Sequence, residues 1–364
     1  MSDKILVAMS GGVDSSLSAA LLAREGRSVI GVTMKTFCYS GVNGPSKTCC
    51  GLDGIADAKS VAAQLDIPHF VFDVEEDFTR DVIDDFVSEY AAGRTPIPCV
   101  RCNSFTKFRD LVTRADTLDC AWLATGHYAR VFRIGTDPAR LCRGVDDRKD
   151  QTYFLWGIPR SALDRLLLPV GSLTKPEVRE EARRLELDTA EKPESFEICF
   201  VPDNDYAGVL RRYLSVDHPA LSAGRFRFED GSEAGEHAGY AHFTVGHRKG
   251  LPGGFAEPMF VLEIQPEART VVIGPREALA RSALVAEAAN WLDDAPRPGE
   301  LVGVRIRHGA PIVDAEVLLA GAASFELDLR LPQEAITPGQ SAVLYRGETV
   351  VGGGVIVSNS PSAN

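Results

Sequence analysis

Lys4-Ile5-Leu6-Val7-Ala8-Met9-Ser10-Gly11-Gly12-Val13-Asp14-Ser15-Ser16 is the stretch that decides the fold of this chain. A short apolar run leads into two glycines and then into Val13–Arg24, where Leu17, Ala20, Leu21 and Ala23 have helical spacing. A strand that ends in a glycine turn and opens a helix is the first half of a βα unit. The glycines let the backbone turn tightly and aim several N–H groups at one concavity. The helix N-terminus adds partial positive charge, so the turn is suited to an anion. Ser10, Ser15 and Ser16 are expected to add hydroxyl donors. The Gly-Lys-Ser/Thr ending of the common NTPase loop is absent.

The same alternation continues outward. Ser28–Met34, His69–Val74 and Ala121–Thr125 read as strands; Asp53–Leu65, Asp77–Ala92 and the amphipathic Asn103–Asp116 read as helices. This predicts a Rossmann-like parallel sheet with helices on both faces, an α/β fold. Thr174-Lys175-Pro176-Glu177 has the form of a capping box opening a further helix to about Leu185. Past residue 210, glycine and proline punctuate short β-type runs: Phe243–Val245, Met259–Ile264, Thr270–Ile273, Glu300–Arg307, Ile312–Leu319 and Ser341–Tyr345. Two small β-rich domains follow from this, the last barrel-like. The acidic, glycine-rich Glu229–Gly239 reads as a turn or loop. The expected domains are 1–210, 211–278 and 279–358.

With 364 residues, 45% hydrophobic and 25% charged, the chain has the composition of a globular protein of two or three domains. No apolar run is long enough to span a membrane, and no secretory signal is evident, so a cytoplasmic location is expected. The net charge of −12 argues against general affinity for nucleic acid. Local basic patches count for more than the total, and Arg94, Arg101, Lys107, Arg109 and Arg114 crowd one segment.

Eight cysteines are present. In a cytosolic enzyme they point to metal or catalytic roles sooner than to bridges. Cys120 and Cys142 lie in apolar stretches and read as core. Cys102, at an expected helix start and beside Arg101, is placed to favour a thiolate. Cys199 lies among apolar neighbours next to a loop containing Lys192 and Pro193. Cys49 and Cys50 fall in a long loop, 35–51, that reads as an active-site lid.

Ser10 to Ser15 match the SGGxDS loop of the ATP-pyrophosphatases, which cleave ATP between the α and β phosphates. Several adenylating synthetases share it. The resemblance narrows with Gly93-Arg94-Thr95-Pro96, Cys102-Asn103, Thr125-Gly126-His127-Tyr128, Lys149-Asp150-Gln151-Thr152, Ile198-Cys199-Phe200, Arg248-Lys249-Gly250-Leu251 and Thr337-Pro338-Gly339-Gln340. Over essentially its whole length the chain resembles the tRNA-specific 2-thiouridylases, the MnmA family. That resemblance implies an adenine nucleotide α-hydrolase type of sheet and ATP-dependent 2-thiolation of the wobble uridine of tRNA.

It further implies that Cys199 carries a persulfide received from a sulfur-relay protein or cysteine desulfurase, and that Cys102 assists. Ala8, Met9, Ser10, Gly11, Gly12, Val13, Asp14, Ser15, Met34 and Gly126 would bind ATP, with Asp14 on Mg²⁺. Ile97, Pro98, Cys99, His127, Lys149, Asp150, Gln151, Arg307, His308 and Gln340 would contact tRNA. His247, where the family usually has Gln, and His308, where an aromatic often stands, leave individual RNA contacts open. Cys99 stands where an acidic residue is frequent. With Cys102 and Cys199 it makes three soft ligands, enough for a [4Fe-4S] cluster with one open iron; a cluster-free thiol mechanism and a zinc site are the alternatives. A synthetase adenylating a small metabolite, and a nucleotide-sensing or tRNA-binding module without turnover, are the competing functions.

Overall fold

A computed structural model describes residues 3–36, 52–194, 198–201 and 205–359. The lid reading for 37–51, with Cys38, Cys49 and Cys50, lies outside them. The chain divides into two compact units, the first 1–82, 99–202 and 347–350, the second 83–98, 203–346 and 351–364.

In the first unit, β1 (Lys4–Ala8), α1 (Val13–Arg24), β2 (Ser28–Lys35), α2 (Leu52–Gln64), β3 (His69–Asp73) and the turn α3 (Glu75–Phe78) follow the expected alternation. The chain passes through α4 (Asp84–Ala91) of the second unit. It returns with α5 (Pro98–Arg101), α6 (Phe108–Thr117), β4 (Trp122–Ala124), the hairpin β5 (Ala129–Phe132) and β6 (Arg140–Arg143), α7 (Arg160–Leu163), β7 (Leu166–Leu167) and α8 (Lys175–Arg184).

The sheet order is β3-β2-β1-β4-β7, all parallel, with Leu6 opposite Ile30 on one side and Leu123 on the other. β1 is therefore the point where the strand order reverses. In open α/β sheets the crevice beyond the carboxyl ends of the strands at that point is where ligands bind. Ile5, Val7, Leu17, Ala20, Ala58, Val61 and Val178 pack α1, α2 and α8 on the sheet. Each fully buried Val, Leu or Ile side chain among them contributes about 1.5–3 kcal/mol.

Helices 77–92 and 103–116 differ from expectation. Thr79–Ile83 and Cys102–Lys107 are π-helical, each carrying one residue more per turn than an α-helix. Because α5 precedes the second of them, Cys102 is not at a helix start. The helix opens at Pro98, so the dipole acts first on Cys99, and its effect fades beyond the first turn.

The second unit holds α9 (Tyr206–Tyr213), then a four-stranded sheet, β10-β11-β8-β9, from β8 (Gly224–Phe228), β9 (Glu233–His237), β10 (Phe260–Gln265) and β11 (Thr270–Gly274). Glu229–Gly239 is thus a correction: its second half is a strand. Polar β9 pairs only with β8, as a sheet edge, through a turn whose Gly231 has φ 83°. Phe243–Val245 is not a strand; it follows a single 3₁₀ turn. Strands β12 (Ala280–Trp291), β13 (Leu301–Arg305), β14 (Val313–Ala320), β15 (Ser324–Glu334), β16 (Ser341–Arg346) and β17 (Thr349–Ser358) run in the order β12-β15-β14-β13-β16-β17. Pairing of β17 with β12 closes them into a six-stranded barrel filled by Val304, Val317, Phe325, Leu327 and Leu344.

Candidate functional site

The loop between β1 and α1 is shaped by two close approaches. Gly11 has φ 72°, and a Cβ there would lie 2.2 Å from the Gly54 carbonyl oxygen of α2. Gly126, just after β4, comes so close that its Cβ would meet Ser15 N at 2.5 Å. Both positions require glycine for space, and Gly11 also for conformation. Gly12 caps α1 with no side-chain hydrogen bond, leaving the first-turn N–H groups available to an anion.

Two of the loop serines bond within the turn. Ser15 Oγ donates to Gly12 O at 3.1 Å and Ser16 Oγ to the same oxygen at 2.9 Å; both side chains are buried. Their hydroxyls brace the turn.

Asp14 is likewise engaged. Its carboxylate accepts from Lys175 Nζ at 2.7 and 2.9 Å and from the Tyr128 hydroxyl at 2.7 Å. The Lys175 ammonium thus neutralises the Asp14 carboxylate in this arrangement. Lys175 also lies 3.3 Å from Glu194 Oε1, and Lys149 Nζ donates to Glu194 Oε2 at 2.6 Å. Burial pushes Glu194 up, but the hydrogen bonds and charges of Lys149 and Lys175 outweigh it and hold the carboxyl below its ordinary value. Burial, then the Asp14 charge, push the Tyr128 phenol far up, so it stays a donor. Lys192 Nζ donates to Gly11 O at 2.9 Å and pairs with Asp57. Three lysines thus gather around the loop.

Lys175, Tyr128 and Glu194 were not singled out from sequence. Two of them stood in quoted motifs, Lys175 as a capping-box residue and Tyr128 after His127. The capping box itself is formed, with Thr174 and Glu177.

Cys102 is buried, Cys99 is exposed and Cys199 is partly buried. The turn α3 packs against the π-helical segment that opens with Cys102. Phe78 of α3 meets Phe200, the neighbour of Cys199, edge-on at 5.9 Å. Segments bearing the two cysteines therefore share one neighbour. Beside Cys102, Asn103 Nδ2 donates to Phe154 O at 3.0 Å, while Asn103 Oδ1, Ser104 Oγ and Thr106 Oγ1 are buried without partners. Unpartnered buried polar atoms and π-helical turns are both frequent at functional sites. Among the described residues, no three His, Cys, Asp or Glu side chains come together to hold a metal ion. Cys120 and Cys142 are buried, and burial pushes both thiols up.

The residues expected to meet RNA fall into two groups. Asp150 is 2% exposed, its carboxylate accepting from Thr152 Oγ1, Thr152 N and Gly144 N. Gln151 exchanges two 2.9 Å hydrogen bonds with the Tyr128 backbone. These two side chains build the turn that places Tyr128, and Asp150 has no surface to offer. His127 Nδ1 is 2.8 Å from Thr125 Oγ1; desolvation, then the charge of Lys107, bring the imidazole down to about 3, so it is neutral near pH 7. In the second unit Gln340 is tied to Thr95, whereas Arg307 and His308 are exposed. Met34 is buried near the carboxyl end of β2.

A parallel sheet with a glycine turn opening α1 at its switch point, ringed by lysines, defines a nucleotide-binding α/β protein of the PP-loop kind. Family models refine this. Residues 3–203 match the "tRNA methyl transferase HUP domain", 211–275 the "tRNA methyl transferase PRC-barrel domain" and 281–356 the "Aminomethyltransferase beta-barrel domain". Proteins named "tRNA-specific 2-thiouridylase MnmA" are similar over nearly full length. That of Heliobacterium modesticaldum is 43% identical over 99% of this chain and 94% of its own, and that of Salinibacter ruber 44% over 97% and 94%. That of Rhizorhabdus wittichii is 45% identical over 99% and 93%. The chain belongs to the tRNA-specific 2-thiouridylase family.

Proposed function

We propose that this protein replaces the 2-oxygen of the wobble uridine of tRNA with sulfur, at the expense of ATP. The observation that carries the reading is a phosphate-type loop at the sheet's switch point, in the same unit as Cys102 and Cys199, in a member of this family. ATP would lie on the amides from Ala8 to Ser15, with Met34 and Gly126 at its sides and Mg²⁺ arriving with the phosphates. The uridine oxygen attacks the α-phosphorus and pyrophosphate leaves. A persulfide on Cys199 attacks C2 through its terminal sulfur, and AMP departs. Cys102 thiolate then attacks Cys199 Sγ, releasing the thiouridine and forming a Cys102–Cys199 disulfide, which an external dithiol reduces. The sulfur comes from a relay protein or cysteine desulfurase, in the cytoplasm.

Ile97, Pro98, Cys99 and His127 are assigned to the target nucleotide, Lys149 to the flanking RNA, and Arg307 and His308 to the RNA backbone. Boundaries near 210 and 278 separate the catalytic, central and barrel domains. No helix among the described residues is long and apolar enough to cross a membrane.

Mass spectrometry of tRNA incubated with the protein, MgATP and a persulfide donor tests this. The expected result is a 16 Da gain on uridine with stoichiometric pyrophosphate, lost in Cys199→Ser while tRNA binding persists. Pyrophosphate release without tRNA, driven by a small acceptor, would overturn it.

A further inference from the structure

Lys175 is set against two physical rules. It occupies the first position of α8, where the helix dipole disfavours a cation, and it is 8% exposed, where an ammonium is costly to desolvate. A cation held in such a place is retained for what it does to its neighbours. Those neighbours are the Asp14 carboxylate, bound through both oxygens, Glu194 at 3.3 Å and the Tyr128 ring, whose centre lies 5.5 Å from the ammonium. Asp146 secures the start of α8 by accepting from the Lys175 N–H at 3.0 Å.

We propose that Lys175 is a positioning residue for the nucleotide step. Asp14 lies in the first turn of α1, where the phosphates of a nucleotide would arrive. An uncompensated carboxylate there repels a polyanion. Lys175 cancels that charge, and with Tyr128 it fixes the carboxylate clear of the loop amides. The connected network Lys149–Glu194–Lys175–Asp14 contains two ammoniums and two carboxylates and is neutral as a whole. Removing Lys175 alone leaves it negative beside the loop.

This inference rests on the ATP-binding reading above. The test is equilibrium binding of MgATP to the full-length protein, by calorimetry, without tRNA. Lys175→Met is expected to weaken binding at least tenfold, and Lys175→Arg, which keeps the charge, by less than threefold. Lys175→Met combined with Glu194→Gln restores neutrality and is expected to recover most of the loss. A purely structural lysine would give no such recovery, and its absence would overturn the proposal. Equal affinity of wild type and Lys175→Met would overturn it as well while leaving the ATP reading intact. A wild-type protein that binds no MgATP would remove both.

Discussion

The side-chain amide of Gln340 donates to the Thr95 carbonyl at 2.9 Å, and the Thr95 N–H donates to Pro338 O at the same distance. Gly339, between the two partners, has φ 92° and sits so close that a Cβ would lie 2.7 Å from Thr95 N. The end of the barrel thereby grips the backbone of the Gly93–Pro98 loop, which leads in sequence to Cys99 and Cys102. Gln340, expected to touch RNA, spends its amide on the protein.

Gln340→Ala should release that grip. Hydrogen exchange at the Thr95 amide is expected to accelerate, with a stability loss of about 1 kcal/mol for the missing hydrogen bond. Unchanged protection at Thr95 would show that the loop is held by other means.

The two loop glycines should behave differently. Gly11→Ala forces a side chain into a left-handed backbone and against the Gly54 carbonyl, so a loss of about 1–3 kcal/mol is expected, with MgATP binding weakened. Gly12→Ala meets nothing nearer than Ser10 Oγ at 3.6 Å and should cost less than about 1 kcal/mol. Denaturant titrations of both variants check the contrast, and equal effects would refute the packing argument.

His127 predicts a pH dependence of stability. Its folded pKa is lowered from 6.5 to about 3, so below 6.5 the unfolded chain takes up a proton that the folded chain refuses. The stability it supports is complete above pH 6.5 and is lost as the pH falls toward 3. His127→Asn should flatten part of that acid limb in thermal melts between pH 4 and 7. His69, His237, His242 and His247, lowered chiefly by burial, add to the limb, as do carboxyls held down by partners, among them Glu194. An unaltered limb would mean that His127 is solvated.

Asp150 and Arg307 should separate folding from RNA binding. Asp150→Ala strands the Thr152 and Gly144 donors inside the protein and is expected to cost about 1–3 kcal/mol of stability, leaving the salt dependence of tRNA binding unchanged. Arg307→Ala gives up one hydrogen bond, to Ala335 O at 3.0 Å, and should cost no more than about 1 kcal/mol while lowering the slope of log affinity against log salt by about one. Filter binding across a salt series, with melts in parallel, tests both.

The first half of the fold was legible because its signals are local. The apolar run, paired glycines and helical spacing from Lys4 to Arg24 lie within two dozen residues and specify β1, the loop and α1 unaided. The hairpin of β5 and β6, and the long strands β12, β15 and β17, went unread. Gly352, Gly353 and Gly354 interrupt β17, whereas in β15 the alternation of Phe325, Leu327 and Leu329 with Glu326, Asp328 and Arg330 was present in the sequence but went unread. The serine hydroxyls looked like free donors because the carbonyl they serve, Gly12 O, becomes reachable only once the turn exists. The partners of Asp14 went unread because they stand 114 and 161 residues away, and no local pattern announces an ion pair across that span.

The wide turn that opens with Cys102 has a mechanical corollary. A helix carrying one surplus residue can surrender it, and rewinding to ordinary pitch rotates all that precedes the surplus by about 100° around the axis. Such a screw step would swing a sulfur atom from the interior toward the outside without unravelling the rod that carries it. The thiol's aim is thus a matter of winding.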